Sequence, residues 1–229
     1  MKNTGHIPDL AIALNTSDMA KALAWAEELL PVHDLLKIGL PLFVKHGPDA
    51  VKELRGRGAR IFLDLKLCDI PSVVAESAGA AADLGVELLT IHGWGGPEMI
   101  AGAKKAVGER TRLVVVTVLT SLGPDQMARL GTKPDTAATE MAGWASEAGA
   151  WGIVCSGLEA RGIKKEFPGL GLVIPGIRLP GEETGDQARV ATPEEVRDVA
   201  DYVVVGRPIT GSPDPGASLR KYLAALGRE

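Results

Sequence analysis

The sequence predicts an α/β fold of the (β/α)8 type, for three reasons. Eight short apolar runs recur along 229 residues, helical patterns separate them, and successive runs begin 20 to 38 residues apart. A repeat of that length is one strand plus one returning helix. Eight such units match a small TIM barrel, a fold that typically occupies about 250 residues. A doubly wound open sheet is the alternative. It normally uses fewer strands, and no GxGxxG pattern follows the first run here.

The strands are expected at 10–14, 35–39, 60–65, 86–91, 113–118, 151–154, 171–174 and 202–205. Each run is short, rich in β-branched residues and closed by Gly, Pro or a polar residue. Helices are expected at 18–30, 41–56, 72–84, 97–107, 136–148, 158–166, 193–199 and 215–226. In the first, Ala22, Trp25, Ala26 and Leu29 recur at helical spacing, and Ser17 is placed to cap it. No linker, charge block or low-complexity stretch interrupts the series, so a single domain over 1–229 is expected.

Composition narrows the function. Apolar residues make up 45% of the chain but aromatics only 4%, so Ala, Val, Leu and Ile must fill the core. A net charge of −4 offers no basic footprint for nucleic acid. Cys68 and Cys155 are too few for a disulfide framework, which points to a reducing cytoplasm. The N-terminal stretch has no apolar signal core, and no run approaches the roughly 18 apolar residues of a membrane span.

Ionisable residues inside buried strands are the strongest functional signal, because they are costly there unless paired. In the third run, Ile61, Leu63 and Leu65 share one face and Phe62, Asp64 and Lys66 the other. The apolar set belongs against the helices, which turns Asp64 and Lys66 into the barrel near its C-terminal mouth. The same parity turns Lys37 inward in the second run and Asn15 inward at the end of the first, and Asp69 follows just past strand three. Two lysines and two carboxylates are thus expected at one mouth. Opposite charges ~4 Å apart attract by about 4 kcal/mol at an effective dielectric of 20. One Asp–Lys pair would read as a structural ion pair. Four charges at the catalytic end of such a barrel favour a functional site.

A second signal lies after runs seven and eight, in Pro175-Gly176-Ile177-Arg178 and Gly206-Arg207-Pro208. Loops at these positions commonly bind phosphate in (β/α)8 barrels. Glycine admits a phosphate to backbone N–H groups, and an arginine adds a charge-assisted clamp. The polar stretch 179–186 between the two reads as a mobile lid or as a surface loop.

With these residues in place, the sequence resembles the orotidine 5′-phosphate decarboxylase family. Asp64-Leu65-Lys66-Leu67-Cys68-Asp69-Ile70-Pro71 resembles its DxKxxD signature. The likeness continues through Leu36-Lys37-Ile38-Gly39, Val118-Leu119-Thr120-Ser121, Pro175-Gly176-Ile177-Arg178, Asp186-Gln187 and Gly206-Arg207-Pro208-Ile209-Thr210, in the family's order and over nearly the whole chain. The resemblance implies a cytoplasmic homodimer that converts orotidine monophosphate to UMP and CO2 without metal or organic cofactor, binding neither nucleic acid nor membrane. It implies Lys66 as the catalytic acid, Asp64 beside the substrate carboxylate, and Lys37 linking Asp64 to the ribose. Asp69 would come from the partner subunit and face the ribose, with Ile70 beside it. Thr120, with Ser121, would read the pyrimidine amide, and Gln187 would bridge base and phosphate. Arg207 and the Gly206 amide would hold the phosphate, with Arg178 nearby.

The sequence also departs from the family's pattern. Asn15 stands where Asp is usual, which removes a negative charge near Lys37. Ser72-Val73 replaces the usual Asn-Thr, which removes a hydroxyl at position 73. His92 reads as an inward structural histidine and Trp94 as packing. Two rival readings follow. Related barrels with the same DxKxxD use Mg²⁺ and carry a glutamate on strand two, where Lys37 would oppose a metal. A noncatalytic nucleotide-binding barrel has Asn15 as its only support.

Overall fold

The computed structural model describes residues 6–183 and 189–228. In chain order the first half runs β1 (Asp9–Leu14), α1 (Met19–Leu29), β2 (Leu35–Gly39), α2 (Leu40–His46), α3 (Pro48–Arg55), β3 (Arg60–Leu67), α4 (Pro71–Asp83), β4 (Leu88–His92) and α5 (Gly96–Val107). The second half runs β5 (Arg112–Val116), α6 (Pro124–Ala128), α7 (Pro134–Glu147), β6 (Gly152–Val154), α8 (Gly157–Glu166), β7 (Gly171–Pro175), α9 (Pro193–Val196), β8 (Tyr202–Val205), α10 (Arg207–Thr210) and α11 (Pro215–Leu226). All eight strands are parallel and pair in sequence order, and β8 returns to β1 to close the barrel. That closure excludes the open sheet. No helix among the described residues is long and apolar enough to cross a membrane.

The strand alternation sorts residues into two cores. Outward residues such as Ile12, Leu36, Ile38, Ile61, Leu63 and Leu89 pack against the helices. Inward residues Ala11, Leu35, Phe62, Leu88, Val114, Val173 and Tyr202 fill the barrel. Toward the C-terminal end, Lys37, Asp64 and Thr90 join small apolar residues such as Ala13 among the buried inward side chains. The polar site is therefore seated on an apolar plug.

Several boundaries differ from the sequence expectation. The helix expected at 41–56 is two helices, because Gly47 adopts φ +57 and Pro48 follows it. Only glycine takes that conformation without strain, and proline cannot continue the first helix. Asp18, not Ser17, caps α1, its carboxylate accepting from the Lys21 N–H. The 193–199 helix is only four residues long. The one-turn segments at Gly93–Gly95, α6 and α10 lie in βα loops, where short polar and glycine-rich stretches carry no apolar period.

The N-terminal end of the barrel is closed by charge. Arg60 reaches Asp34 at 2.9 Å, Asp9 at 2.9 Å and Glu87 at 3.0 Å. Arg112 joins Glu87 at 2.9 Å and lies over the Trp151 ring, and Arg228 of the C-terminal segment pairs with Asp9 at 3.0 Å. Burial alone would raise the Asp9 carboxyl, but His33, Arg60 and Arg228 overcome it and hold it well below the usual carboxylate range. Carboxylates with depressed values stabilise the fold at neutral pH and lose that contribution as pH falls below about 4. Arg60→Met is expected to cost about 2 kcal/mol at pH 7, between the values for exposed and buried pairs. Urea unfolding should show that deficit shrinking below about pH 4, where wild type loses the same contacts by protonation.

Candidate active site

At the C-terminal end of the strands lies a cavity of about 520 Å³ lined by Asn15, Lys37, Asp64, Lys66, Thr120, Arg178, Gly206 and Arg207, among others. That is ample for a small-molecule ligand. Asp64 is the hub of its charged cluster. Lys37 Nζ donates to Asp64 Oδ2 at 2.8 Å, and Lys66 Nζ donates to Oδ1 at 2.7 Å. The Thr90 hydroxyl also donates to Oδ1, at 2.9 Å. Burial pushes the Asp64 carboxyl upward, yet the two ammoniums outweigh it and hold it far below the ordinary carboxylate range. Lys37 is 8% exposed, whereas Lys66 is partly open to the cavity.

The route by which Lys66 reaches this place differs from simple alternation. β3 extends two residues beyond the expected 60–65, and its register with β4 shifts between Leu63 and Leu67. Lys66 adopts φ +50, the only positive φ of a non-glycine among the described residues. Its backbone N–H donates to the Thr90 hydroxyl at 2.9 Å rather than to the ladder. Periodicity reports which face a residue would occupy in a regular strand, so it carries no sign of this bulge. Thr90 shares the inward parity of His92, but nothing in its identity marks it as a partner.

Two expected site residues stand apart from the cluster within one chain. Asp69 is exposed, its carboxylate accepting the Ile70 N–H at 2.7 Å, and Ile70 is 62% exposed. Neither lines the cavity. The chain leaves the barrel after Leu67 and turns into α4 at Pro71, which carries 69–70 onto the outer rim. The four charges expected at one mouth are thus three in a single chain. Trp94, expected to pack, is 46% exposed. His92 is half-buried, and burial followed by the Lys66 ammonium lowers its pKa, which favours the neutral ring. Its Nδ1 accepts the Trp94 N–H at 3.4 Å.

Two arginines also line the cavity. Arg178 is buried, donating from Nε to the Glu183 carbonyl at 3.0 Å and from Nη1 to the Ile177 carbonyl at 2.9 Å. Arg207 is more exposed and borders the same cavity. A side chain at Gly206 would begin 3.2 Å from Asn15 Nδ2, so glycine there keeps the backbone close to the amide. Gln187 and part of the 179–186 stretch lie outside the described residues.

One buried pair escaped sequence reasoning. Arg189 pairs with Glu159 of α8 and donates from Nη2 to the carbonyls of Val118 at 3.0 Å and Leu119 at 3.1 Å. It thereby pins the loop that presents Thr120. Glu159 also accepts the Ser156 N–H at 2.9 Å. The Ser-x-x-Glu spacing was a readable helix start, whereas a distant arginine carries no local pattern.

Comparison with known proteins agrees with this geometry. The family model described as orotidine 5′-phosphate decarboxylase / HUMPS family matches residues 8–222. The orotidine 5′-phosphate decarboxylase of Anaeromyxobacter sp. (strain K) is 44% identical over 221 residues, covering 95% of this chain and 97% of that protein. The crystal structure of orotidine 5′-phosphate decarboxylase from Lactobacillus acidophilus superposes with a TM-score of 0.84 at 31% identity, covering 96% of this chain and 99% of that one. The Methanocaldococcus jannaschii orotidine 5′-monophosphate decarboxylase, solved with the inhibitor BMP, shares the fold at a TM-score of 0.80 and 23% identity, over 97% of this chain and 100% of that one. Taken with the Asp64–Lys66 signature at the mouth of a closed eightfold barrel, these likenesses show that the chain belongs to the orotidine 5′-phosphate decarboxylase / HUMPS family.

Proposed function

We propose that the protein decarboxylates orotidine 5′-monophosphate to UMP and CO2, a step of pyrimidine synthesis in the cytoplasm, using its own side chains alone. One observation carries the reading: an ammonium, Lys66, is held 2.7 Å from a buried carboxylate whose other oxygen is taken by Lys37. Breaking the C6–CO2 bond leaves an electron pair in the plane of the pyrimidine, where the ring π-system delocalises it poorly. A cation fixed near C6 stabilises that charge as it grows and then supplies the proton that completes UMP. Water returns a proton to Lys66. Because Asp64 orients the amine before reaction, little reorganisation accompanies the chemistry. Asp64 would sit beside the substrate carboxylate, and Lys37 would join Asp64 to the ribose.

The rest of the cavity suits the remainder of a nucleotide. Asn15, between Gly39 and Gly206, is within reach of the ribose as either donor or acceptor. Thr120 faces the base, and Gln187 would bridge base and phosphate. Arg207, the Gly206 amide and Arg178 form the phosphate end. Phosphate contacts far from C6 raise the rate only insofar as their binding energy is spent on organising the site. A magnesium-dependent reaction fits less well. Both Asp64 oxygens already accept from ammonium groups, so a divalent cation would first meet two positive charges.

The exposed position of Asp69 suits a homodimer. Ile70 and Val73, 62% and 43% exposed, flank it, and Trp94 is exposed on the next βα loop. A second copy covering this apolar rim would bring Asp69 to the neighbouring cavity.

Loss of orotidine monophosphate absorbance, followed with and without EDTA, tests the reaction, and chelator-insensitive conversion is expected. Lys66→Ala should lower kcat by at least about 10³-fold with the fold retained. Arg207→Ala should instead raise KM about 10- to 100-fold, the equivalent of one charge-assisted contact. Near-wild-type turnover by Lys66→Ala would refute the assignment. For the dimer, Lys66→Ala and Asp69→Ala chains should each be inactive alone. Mixed 1:1 with exchange, they should recover up to about a quarter of wild-type activity, because one of two sites in each heterodimer is intact. No recovery in a mixture shown to exchange subunits would place Asp69 outside the partner's site.

A further inference from the structure

The catalytic assignment leaves unexplained how a lysine comes to stand in a left-handed backbone conformation inside a strand. Lys66 has φ +50, a region that side-chain-bearing L-residues avoid. The pairing advances four positions along β3, from Leu63 to Leu67, but only two along β4, from Leu89 to Ile91. In that bulge the Lys66 N–H leaves the ladder, and a partly buried amide without a partner is costly. Thr90 supplies the partner. Its hydroxyl oxygen accepts the Lys66 N–H at 2.9 Å, and its hydroxyl proton goes to Asp64 Oδ1 at 2.9 Å. The same Asp64 oxygen accepts Lys66 Nζ at 2.7 Å.

These three contacts close a ring through one residue. Thr90 is fully buried and its backbone is held in β4 opposite Val114. A hydroxyl has one proton, so donating it to Asp64 leaves the oxygen lone pairs for the Lys66 amide. One small group thus fixes both the backbone that carries Lys66 and the carboxylate that aims its amine. We infer that Thr90 is a positioning residue for Lys66, holding the bulged lysine in register with Asp64. The kinetic part of this inference rests on the decarboxylase reading; the geometric part does not. The plainer alternative is a threonine kept only for its volume, with its hydroxyl satisfied incidentally.

Thr90→Val keeps the shape and removes both hydrogen bonds, whereas Thr90→Ser keeps the hydroxyl and removes the methyl. With both variants folded by thermal melting, Thr90→Val should lose about 10- to 100-fold in kcat while KM moves less than about threefold, and Thr90→Ser should stay within about threefold of wild type. Crystal structures of wild type and Thr90→Val provide the readout that needs no activity. In the valine variant, Lys66 should leave positive φ and its amine should lose contact with Asp64. If Thr90→Val keeps wild-type kcat, or the two variants are equally impaired, or Lys66 keeps its φ and its contact with Asp64, the inference is overturned. If wild type itself fails to convert orotidine monophosphate, the decarboxylase reading falls, and the two crystal structures still decide the role of Thr90. Should Thr90→Val not fold, Thr90→Ala replaces it in the same comparisons.

Discussion

The site depends on one arrangement of charge: a carboxylate buried inside a barrel and held ionised by two ammoniums. Alone, the Asp64 carboxyl would resist ionisation where it sits, because it is almost entirely removed from water. Lys37 from β2 and Lys66 from β3 reverse that preference. The dependence is mutual, since either amine would meet the other's charge without Asp64 between them. Losing Asp64 would therefore leave two ammoniums facing each other, the strongly destabilising outcome that follows when one partner of a buried pair is removed. Its net charge is positive, which under the proposed decarboxylation would favour an anionic nucleotide and a developing carbanion.

The two ends of the barrel divide stability from chemistry, and both use charge. At the N-terminal end, Arg60 and Arg112 meet Asp9, Asp34 and Glu87, closing the barrel around Trp151 and Tyr202. There each carboxylate has a cation beside it. At the C-terminal end, the cluster faces open space, and Lys66 retains exposure toward it. The apolar layer of Phe62, Leu88, Val114 and Val173 separates the two networks. Each can thus be tuned by its own neighbours.

The loops are organised by long-range pairing rather than by local propensity. Arg189 ties the segment after β7 to the carbonyls of Val118 and Leu119, while Glu159 anchors it to α8. Tyr222 of α11 donates to Glu182, which in turn accepts the Leu179 N–H at 3.0 Å. Residues that would read the base and those that would hold the phosphate are therefore joined through the protein as well as through a ligand.

Sequence alone determined the barrel, the inward face of Lys37 and Asp64, and the loops bearing Arg178 and Arg207. Those properties follow from a two-residue alternation and a strand–helix repeat, which are local and written in order along the chain. Even the family was legible, because its signature residues lie close together in each βα loop. Tertiary structure alone decided that α2 and α3 are separate, that β3 bulges at Lys66, and that Thr90 completes its hydrogen bonding. It also placed Asp69 and Ile70 on the outer rim and linked Arg189 to a loop some seventy residues away. A bulge depends on the register between two strands, and a buried pair on groups brought together only by closure, so neither leaves a period in the sequence.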